Sequence, residues 1–541
     1  MATGGGFSAP APVVSFPRAR KPRVMAENPV SVSLLGGALA SATTACSPLP
    51  VPSAGEDVVP GGGSGQGDGL APRAADVVRV VDGARPARLT PAQLAPARRA
   101  WHAARELAAS GRVYGRSTGV GANRTDDVHD PDHGLRLLRS HAGAIGPRVP
   151  TREARALLTV RAQQLLAGGA GLDPRVVVAL TEALRTGATP VLHTYGGVGT
   201  GDLGPLAQLG LALTGEGAWE GGTPPRPLAL DSNDALALIS SNALALGRAC
   251  LALEESRTLL RAANGIAALS LLAVDGSAEP FAAAVAAARP YRGQLLASAR
   301  MRDWLGLPAR PAPPAGRIQD PFAFRCLPQT LGPAYDAADA LDAVLAVELS
   351  AAAENPLISA RDGAAYHHGN FYAGQLGLAL DSFRLALLPV ARSAAARLAA
   401  LCEPAYTGLR PFLGDTATAS SGVMILEYAA ASAVAETQAL AQPASLGHVV
   451  LSRGVEEQAG FASLSAAQSL RLPPLLRHVL GCELVAAVRA LRMSGREPAP
   501  GTPAAQALAL ALDTLPADPR DRPLTTDVAL AERLVDRLAE W

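Results

Sequence analysis

The sequence predicts a mainly α protein in which an N-terminal, lid-bearing domain is followed by a bundle of long helices. Three observations carry this. From about residue 76 onward, Ala, Leu and Arg recur at helical spacing between Gly and Pro breaks, the pattern of amphipathic helices with short connections. Residues 235–251 have hardly a polar face, so the helix that holds them must be buried among other helices. At 48% hydrophobic and 18% charged over 541 residues, the chain has ample apolar material for a large core.

In chain order, residues 1–75 read as a low-complexity tail, with GGG at 4–6, a basic cluster of Arg18, Arg20, Lys21 and Arg23, and GGGSGQGDG at 61–69. Such composition buries too little to fold. The basic cluster and the apolar run up to Cys46 have a rival reading as a signal peptide with a lipid-anchored cysteine, and Met25 is a candidate true start. The spacing then predicts helices over 91–109, 151–167, 173–186, 232–272, 334–352, 373–402, 421–440, 475–493 and 527–539. Residues 232–272 are expected to form one continuous helix, and the arginine-rich faces within 384–397 to be solvated or intersubunit surface. The expected division is 76–230 for the N-terminal domain and 231–541 for the helical bundle.

Composition removes several function classes. With 48 Lys+Arg against 47 Asp+Glu, net charge +1, no bulk attraction to nucleic acid or anionic membrane is built in. No charge-free run of about 18 apolar residues predicts a membrane span. Lys21 is the only lysine, which leaves no core amine for a pyridoxal phosphate or Schiff-base enzyme. Cys46, Cys250, Cys326, Cys402 and Cys482 are odd in number and never in a CxxC pair, which argues against a disulfide framework or zinc site and favours a reducing cytoplasm. No GxSxG elbow suggests a hydrolase.

Four polar, glycine-bearing segments interrupt the helices, and chemistry is expected there. The first is VYGRSTGVG at 113–121, whose glycines allow a tight turn over a ligand and whose Tyr114 is placed on a mobile lid; Ser140-His141 follows. It fits neither GxGxxG nor a P-loop pattern. The second is TPVLHTYGGVGTGDLGPLA at 189–207, where glycines surround one hydroxyl residue ahead of a helix. The third is IQDPFAFRCLPQTLG at 318–332 and the fourth RGVEEQAGFAS at 453–463.

With ENPLI at 354–358, HHGNFYAG at 367–374, and TGLRPFL followed by SSGVMILEYAAA at 407–431, these segments resemble the aromatic amino-acid ammonia-lyase family, which includes the histidine and phenylalanine ammonia-lyases. The resemblance spans about residues 76–530 and implies a helical bundle of the histidine ammonia-lyase type. It implies elimination of ammonia from an aromatic or heteroaromatic α-amino acid to an α,β-unsaturated acid, in a homotetramer whose sites are shared between subunits. It further implies an electrophile made from the chain itself, a methylidene-imidazolone-type group formed where the family carries Ala-Ser-Gly, with no pyridoxal phosphate and no metal.

Carried over onto this chain, the resemblance places the tripeptide on Gly199-Thr200-Gly201 ahead of Asp202, and the catalytic positions on Tyr114 as base, Thr200 as precursor of the electrophile, and Glu456. Substrate-binding positions fall on His141, Ser240, Gln319, Phe322, Arg325 and Asn355, with Arg325 suited to fork a carboxylate. The Ser140-His141 pair resembles the histidine branch.

Four positions depart from the family. Glycine at 199 replaces alanine, and its greater backbone freedom weakens the pre-organisation for cyclisation. Threonine at 200 would yield an ethylidene, with a methyl on the carbon that the amine attacks. Phe322 replaces a tyrosine and donates no hydrogen bond. Ser240 replaces an asparagine that helps prepare the group, a reach left to water or to Asn242. The alternatives are therefore an aminomutase, a reaction independent of the cyclised group, or a catalytically silent small-molecule-binding homologue. A literal Ala109-Ser110-Gly111 reads as a helix end with a glycine cap. His367-His368 read as exposed or turn-capping, and of Glu456 and Glu457 only one is expected to face the site.

Overall fold

In the computed structural model, residues 72–313 and 316–541 are described. The expected tail, with its signal-like run, falls outside the described residues except for positions 72–75, where Arg73 leads into the helix Ala74–Val81.

The fold is mainly α, with three two-stranded antiparallel pairs. The expected helices lie at Pro91–Ser110, Thr151–Leu166, Pro174–Thr186, Leu327–Glu348, Gly374–Leu401, Met424–Leu440, Ala462–Ser494 and Thr525–Leu538. Pro91–Ser110 begins with Thr90 capping Gln93 N and proline in the first turn, the arrangement that satisfies free amides at a helix start. It ends before Gly111, but Gly111 is extended (φ −169°), so the helix stops without the left-handed glycine cap that the sequence suggests.

Two expectations are corrected. Residues 232–272 do not form one helix: Ala235–Ile239 and Ala243–Ala273 are separated by Ser240, Ser241 and Asn242. The Ser241 carbonyl leaves the helical ladder to accept from Asp202 N at 2.7 Å, and the Asn242 side chain turns to neighbouring loops, the competition by which such residues break helices. Nor are the arginines of 384–397 all at the surface. Arg384 is 0% exposed, donating to Asp381, Ser465 and the Leu440 carbonyl, and Arg397, 1% exposed, is bidentate to Glu483. Arg392 alone of the three is exposed.

The segment expected to be helical from 475 begins at Ala462 and runs through Pro473 and Pro474. The core forms where it and Ala243–Ala273 pack together, flanked by Thr151–Leu166, Gly374–Leu401 and Leu327–Glu348. Ala235–Ala273 is long and apolar enough to cross a membrane by length and composition, but its apolar stretch is fully buried within the protein. Near the N-terminal end of this bundle, Ile145–Arg148 pairs with His193–Tyr195 and Ala188–Pro190 with Trp219–Gly221. These pairs frame residues 196–202 before the chain enters the helix Leu203–Thr214.

Candidate active site

The 196–202 loop is fixed from three sides. Asp202, fully buried, accepts from Ala245 N at 2.9 Å and Ser463 Oγ at 2.8 Å, while its own amide donates to Ser241 O. Burial pushes its carboxyl pKa upward, opposed by the bonds from Ala245 and Ser463 and by the charge of Arg248. Gly199 and Gly201 have φ of +90° and +126°, conformations that favour glycine. A Cβ added to Gly199 would lie 2.8 Å from Ala462 N and 3.0 Å from Phe461 N. An alanine at this position would be crowded and strained.

Three polar groups of the tripeptide each have a neighbouring partner. The Gly199 carbonyl accepts from Ala373 N at 2.9 Å, Gly201 N donates to Asn242 Oδ1 at 3.1 Å, and Thr200 Oγ1 lies 3.5 Å from Glu456 Oε2. Asn242 in turn donates from Nδ2 to the Phe371 carbonyl at 2.9 Å.

Tyr114 stands on the same side. Its phenol oxygen accepts from Gly121 N at 2.8 Å, and its amide donates to His367 Nε2 at 3.3 Å, with the two rings edge-on at 6.5 Å. Burial raises the phenol pKa above its ordinary value; the Gly121 bond opposes this, the nearby negative charge of Glu456 adds to it, and Arg124 opposes it again. The lid is anchored by buried Arg116, which donates to the carbonyls of Asn233 and Ala170, and it touches the 452–456 turn through Ala122 N to Ser452 Oγ at 3.0 Å.

Ser240 is buried and accepts from Asn355 N at 3.3 Å, and Asn355 Oδ1 takes His368 N. His368 Nδ1 then caps Asn370 N, the turn-capping role read from the sequence. His141, half-buried, hydrogen-bonds its own helix at Leu137 O, three residues before Ala144 packs on Gly196 and Gly204. Glu457 is exposed while Glu456 is half-buried toward Thr200.

One chain therefore brings together Tyr114, Thr200, Glu456, Ser240 and Asn355, with His141 beside the glycine loop. It does not bring Gln319, Phe322 or Arg325. Their segment is seated at the opposite end of the long central helix, where Arg317 donates to Val274 O and Asp320 accepts from Ser277 N. Ala243–Ala273 has 31 residues, so the two ends are about 46 Å apart at the helical rise. Arg325 there donates to Asp320 O and lies over the Phe322 ring at 5.2 Å; Phe322 is 68% exposed.

Sequence reasoning passed over His367 as a partner of the lid, Arg116 as its anchor, and the 371–373 backbone. Only Asn242, two places after Ser240 in ALALISSNALAL, carried a signal. Among the described residues, no group of three or more His, Cys, Asp or Glu is placed to hold a metal ion.

Comparison with known proteins gives the family. The family model described as aromatic amino acid lyase matches residues 73–513. The chain belongs to the aromatic amino acid lyase family. With the family goes the enzyme class that the motifs imply, a carbon–nitrogen lyase. This family member is 34% identical to the histidine ammonia-lyase of Geobacillus kaustophilus over 403 residues, covering 71% of this chain and 80% of that protein. It is also 34% identical to the histidine ammonia-lyase of Streptomyces coelicolor over 446 residues, 78% and 86% of the two chains. Among solved structures, tyrosine aminomutase from Streptomyces globisporus superposes with TM-score 0.79 at 25% identity, covering 87% of this chain and 96% of that one. Ergothionase from Treponema denticola shares the fold at TM-score 0.80 and 24% identity, covering 87% and 99%.

The residues present fit the self-derived group of the family. Gly201 N and the Gly199 carbonyl belong to buried residues and are each held by one hydrogen bond, and the backbone angles at 199 and 201 suit a tight turn. Gly199, Thr200 and Gly201 would supply the ring, the uncyclised loop being held by Asn242, Ala373 and the neighbouring Asp202; once formed, the group would offer an electrophilic carbon to the substrate amine.

Proposed function

We propose that this lyase releases ammonia from a histidine-like aromatic or heteroaromatic α-amino acid, giving an α,β-unsaturated acid, and works as a homotetramer in the cytoplasm. The observation that carries this reading is the Glu456 carboxylate, 3.5 Å from Thr200 Oγ1 and close enough to the Tyr114 phenol for its charge to raise the phenol pKa, inside one chain. Tyr114 takes the β-proton. Its phenolate is stabilised by Gly121 N–H, the kind of oriented donor that stabilises developing charge. Burial and the Glu456 charge raise the phenol pKa, opposed by the Gly121 bond and the Arg124 charge. Glu456 orients the substrate imidazole or the departing amine, and His141 faces the ring.

Arg325 supplies the carboxylate fork from a second subunit. The separation of about 46 Å within one chain supports this, because no hinge within a continuous buried helix closes such a gap. The arginine segment also presents Ile318 (88% exposed) and Phe322 to the outside, and Leu446, Tyr428, Leu378 and Leu385 are exposed elsewhere, apolar surface of the kind that subunit contacts cover. The buried free thiols, Cys402 and Cys482 pushed up to about 12 by burial, suit a reducing compartment.

The test is to incubate purified enzyme with histidine, phenylalanine and tyrosine, following ammonia and the conjugated acid. Ammonia with the unsaturated acid, abolished in Tyr114→Phe, is the expected result. A β-amino acid without free ammonia would instead establish an aminomutase, and no product from any aromatic amino acid would overturn the reading.

A further inference from the structure

Ser240 occupies the place of the family's asparagine, yet it makes no bond to the 199–201 loop; its hydroxyl is taken by Asn355 N. The amide that touches the loop is two residues further on. Asn242, 5% exposed, accepts the Gly201 N–H at 3.1 Å, and its Nδ2 is fixed on the Phe371 carbonyl. The same short turn that fixes Asn242 also supplies Ala373 N–H to the Gly199 carbonyl at 2.9 Å. We propose that Asn242 closes the ring in this chain, with the 371–373 turn holding both the attacking nitrogen and the attacked carbonyl. This rests on the reading that the loop cyclises.

The chemistry balances without an oxidant. Gly201 N forms a bond to the Gly199 carbonyl carbon, whose oxygen leaves as water with the amide protons of Gly201 and Thr200. A second water takes the Thr200 hydroxyl and Cα proton, leaving a Cα=Cβ double bond. A hydrogen bond accepted by Asn242 Oδ1 polarises the Gly201 N–H and aims the nitrogen, while Ala373 N–H stabilises the negative charge that grows on the carbonyl oxygen. Gly199 and Gly201 both have positive φ, the backbone conformation that glycine allows and that a tight turn here uses. Ser240 reaches neither atom, so the amide has moved along the chain while its target has stayed in place.

The experiment weighs the fragment spanning residues 187–215 from full-length wild type, Asn242→Ala and Asn242→Asp, with thermal melting of each as the check on folding. Wild type is expected to show a deficit of two waters, and Asn242→Ala at least a tenfold smaller cyclised fraction. Asn242→Asp keeps the acceptor oxygen at a helix N-terminus that favours a carboxylate, and is expected to retain most of the deficit. Full cyclisation in Asn242→Ala, or a folded Asn242→Asp without it, overturns the role of Asn242 while leaving the electrophile intact. An unmodified wild-type fragment removes the electrophile itself, and the proposal with it. Should Asn242→Ala fail to fold, Asn242→Asp decides.

Discussion

At Gly199 the start of the Ala462–Ser494 helix occupies the space of a side chain and φ is +90°. Restoring the family residue by Gly199→Ala is therefore expected to harm this protein. It should cost about 1–3 kcal/mol, seen as a lowered melting temperature, and reduce the cyclised fraction of the loop; an unchanged melting temperature would contradict the crowding. Glu456 gives a second residue-scale prediction. Its charge adds to burial in raising the Tyr114 phenol pKa, so Glu456→Gln should lower that value. The alkaline limb of the pH dependence of kcat/KM, where activity rises as Tyr114 loses its proton, should move to lower pH in the variant, and a shift upward would show that Tyr114 is not the group titrating. Tyr114, Thr200 and Glu456 were legible in the sequence because each sits in a motif whose residue types suit the chemistry. Asn242 was visible only as a candidate substitute, since a hydrogen bond of 3.1 Å to Gly201 N is a fact of packing.

The lid is the element on which the site depends most directly. Arg116 follows Tyr114 by two residues and points into the protein, where burial lowers its pKa to about 10 against the favourable charges of Asp234 and Asp231. Its guanidinium donates to two backbone carbonyls, Asn233 O and Ala170 O, so Arg116→Met leaves both without that donor. A loss of about 2–4 kcal/mol is expected from orphaning them, together with lower kcat/KM and faster amide hydrogen exchange over 113–121. Unchanged exchange there would show that the lid is held elsewhere. Periodicity placed this helix-to-lid junction well, with Pro91–Ser110 ending where the pattern ends. It failed at 240–242, where an apolar pattern continues on both sides of a break made by side-chain and backbone bonds to Asp202, Gly201 and Phe371. It failed again at Arg384 and Arg397, which look like surface residues in a sequence and are buried because Asp381 and Glu483 meet them from the same and a neighbouring helix.

At the scale of the whole molecule, a long buried helix keeps the glycine loop and the arginine segment apart. If each site draws Tyr114 from one subunit and Arg325 from another, Tyr114→Phe and Arg325→Ala should each be inactive alone. Co-expressed, they should recover activity on the order of a quarter of wild type, because random assembly leaves that share of sites with both residues intact. No recovery in a mixed oligomer, verified by sedimentation and mass, would place both residues' functions within one chain.

The sequence by itself determined the mainly α class, the ordered motifs of the lyase family, and the identity of the groups able to do the chemistry, because these depend on local spacing and residue type. Tertiary structure alone decided which of them meet. It placed Glu456 rather than Glu457 beside Thr200 and put the Asn242 amide on Gly201 N. It also sent Arg325 to the far end of a 31-residue helix, because hydrogen bonds and burial join residues as far as 330 positions apart in the chain.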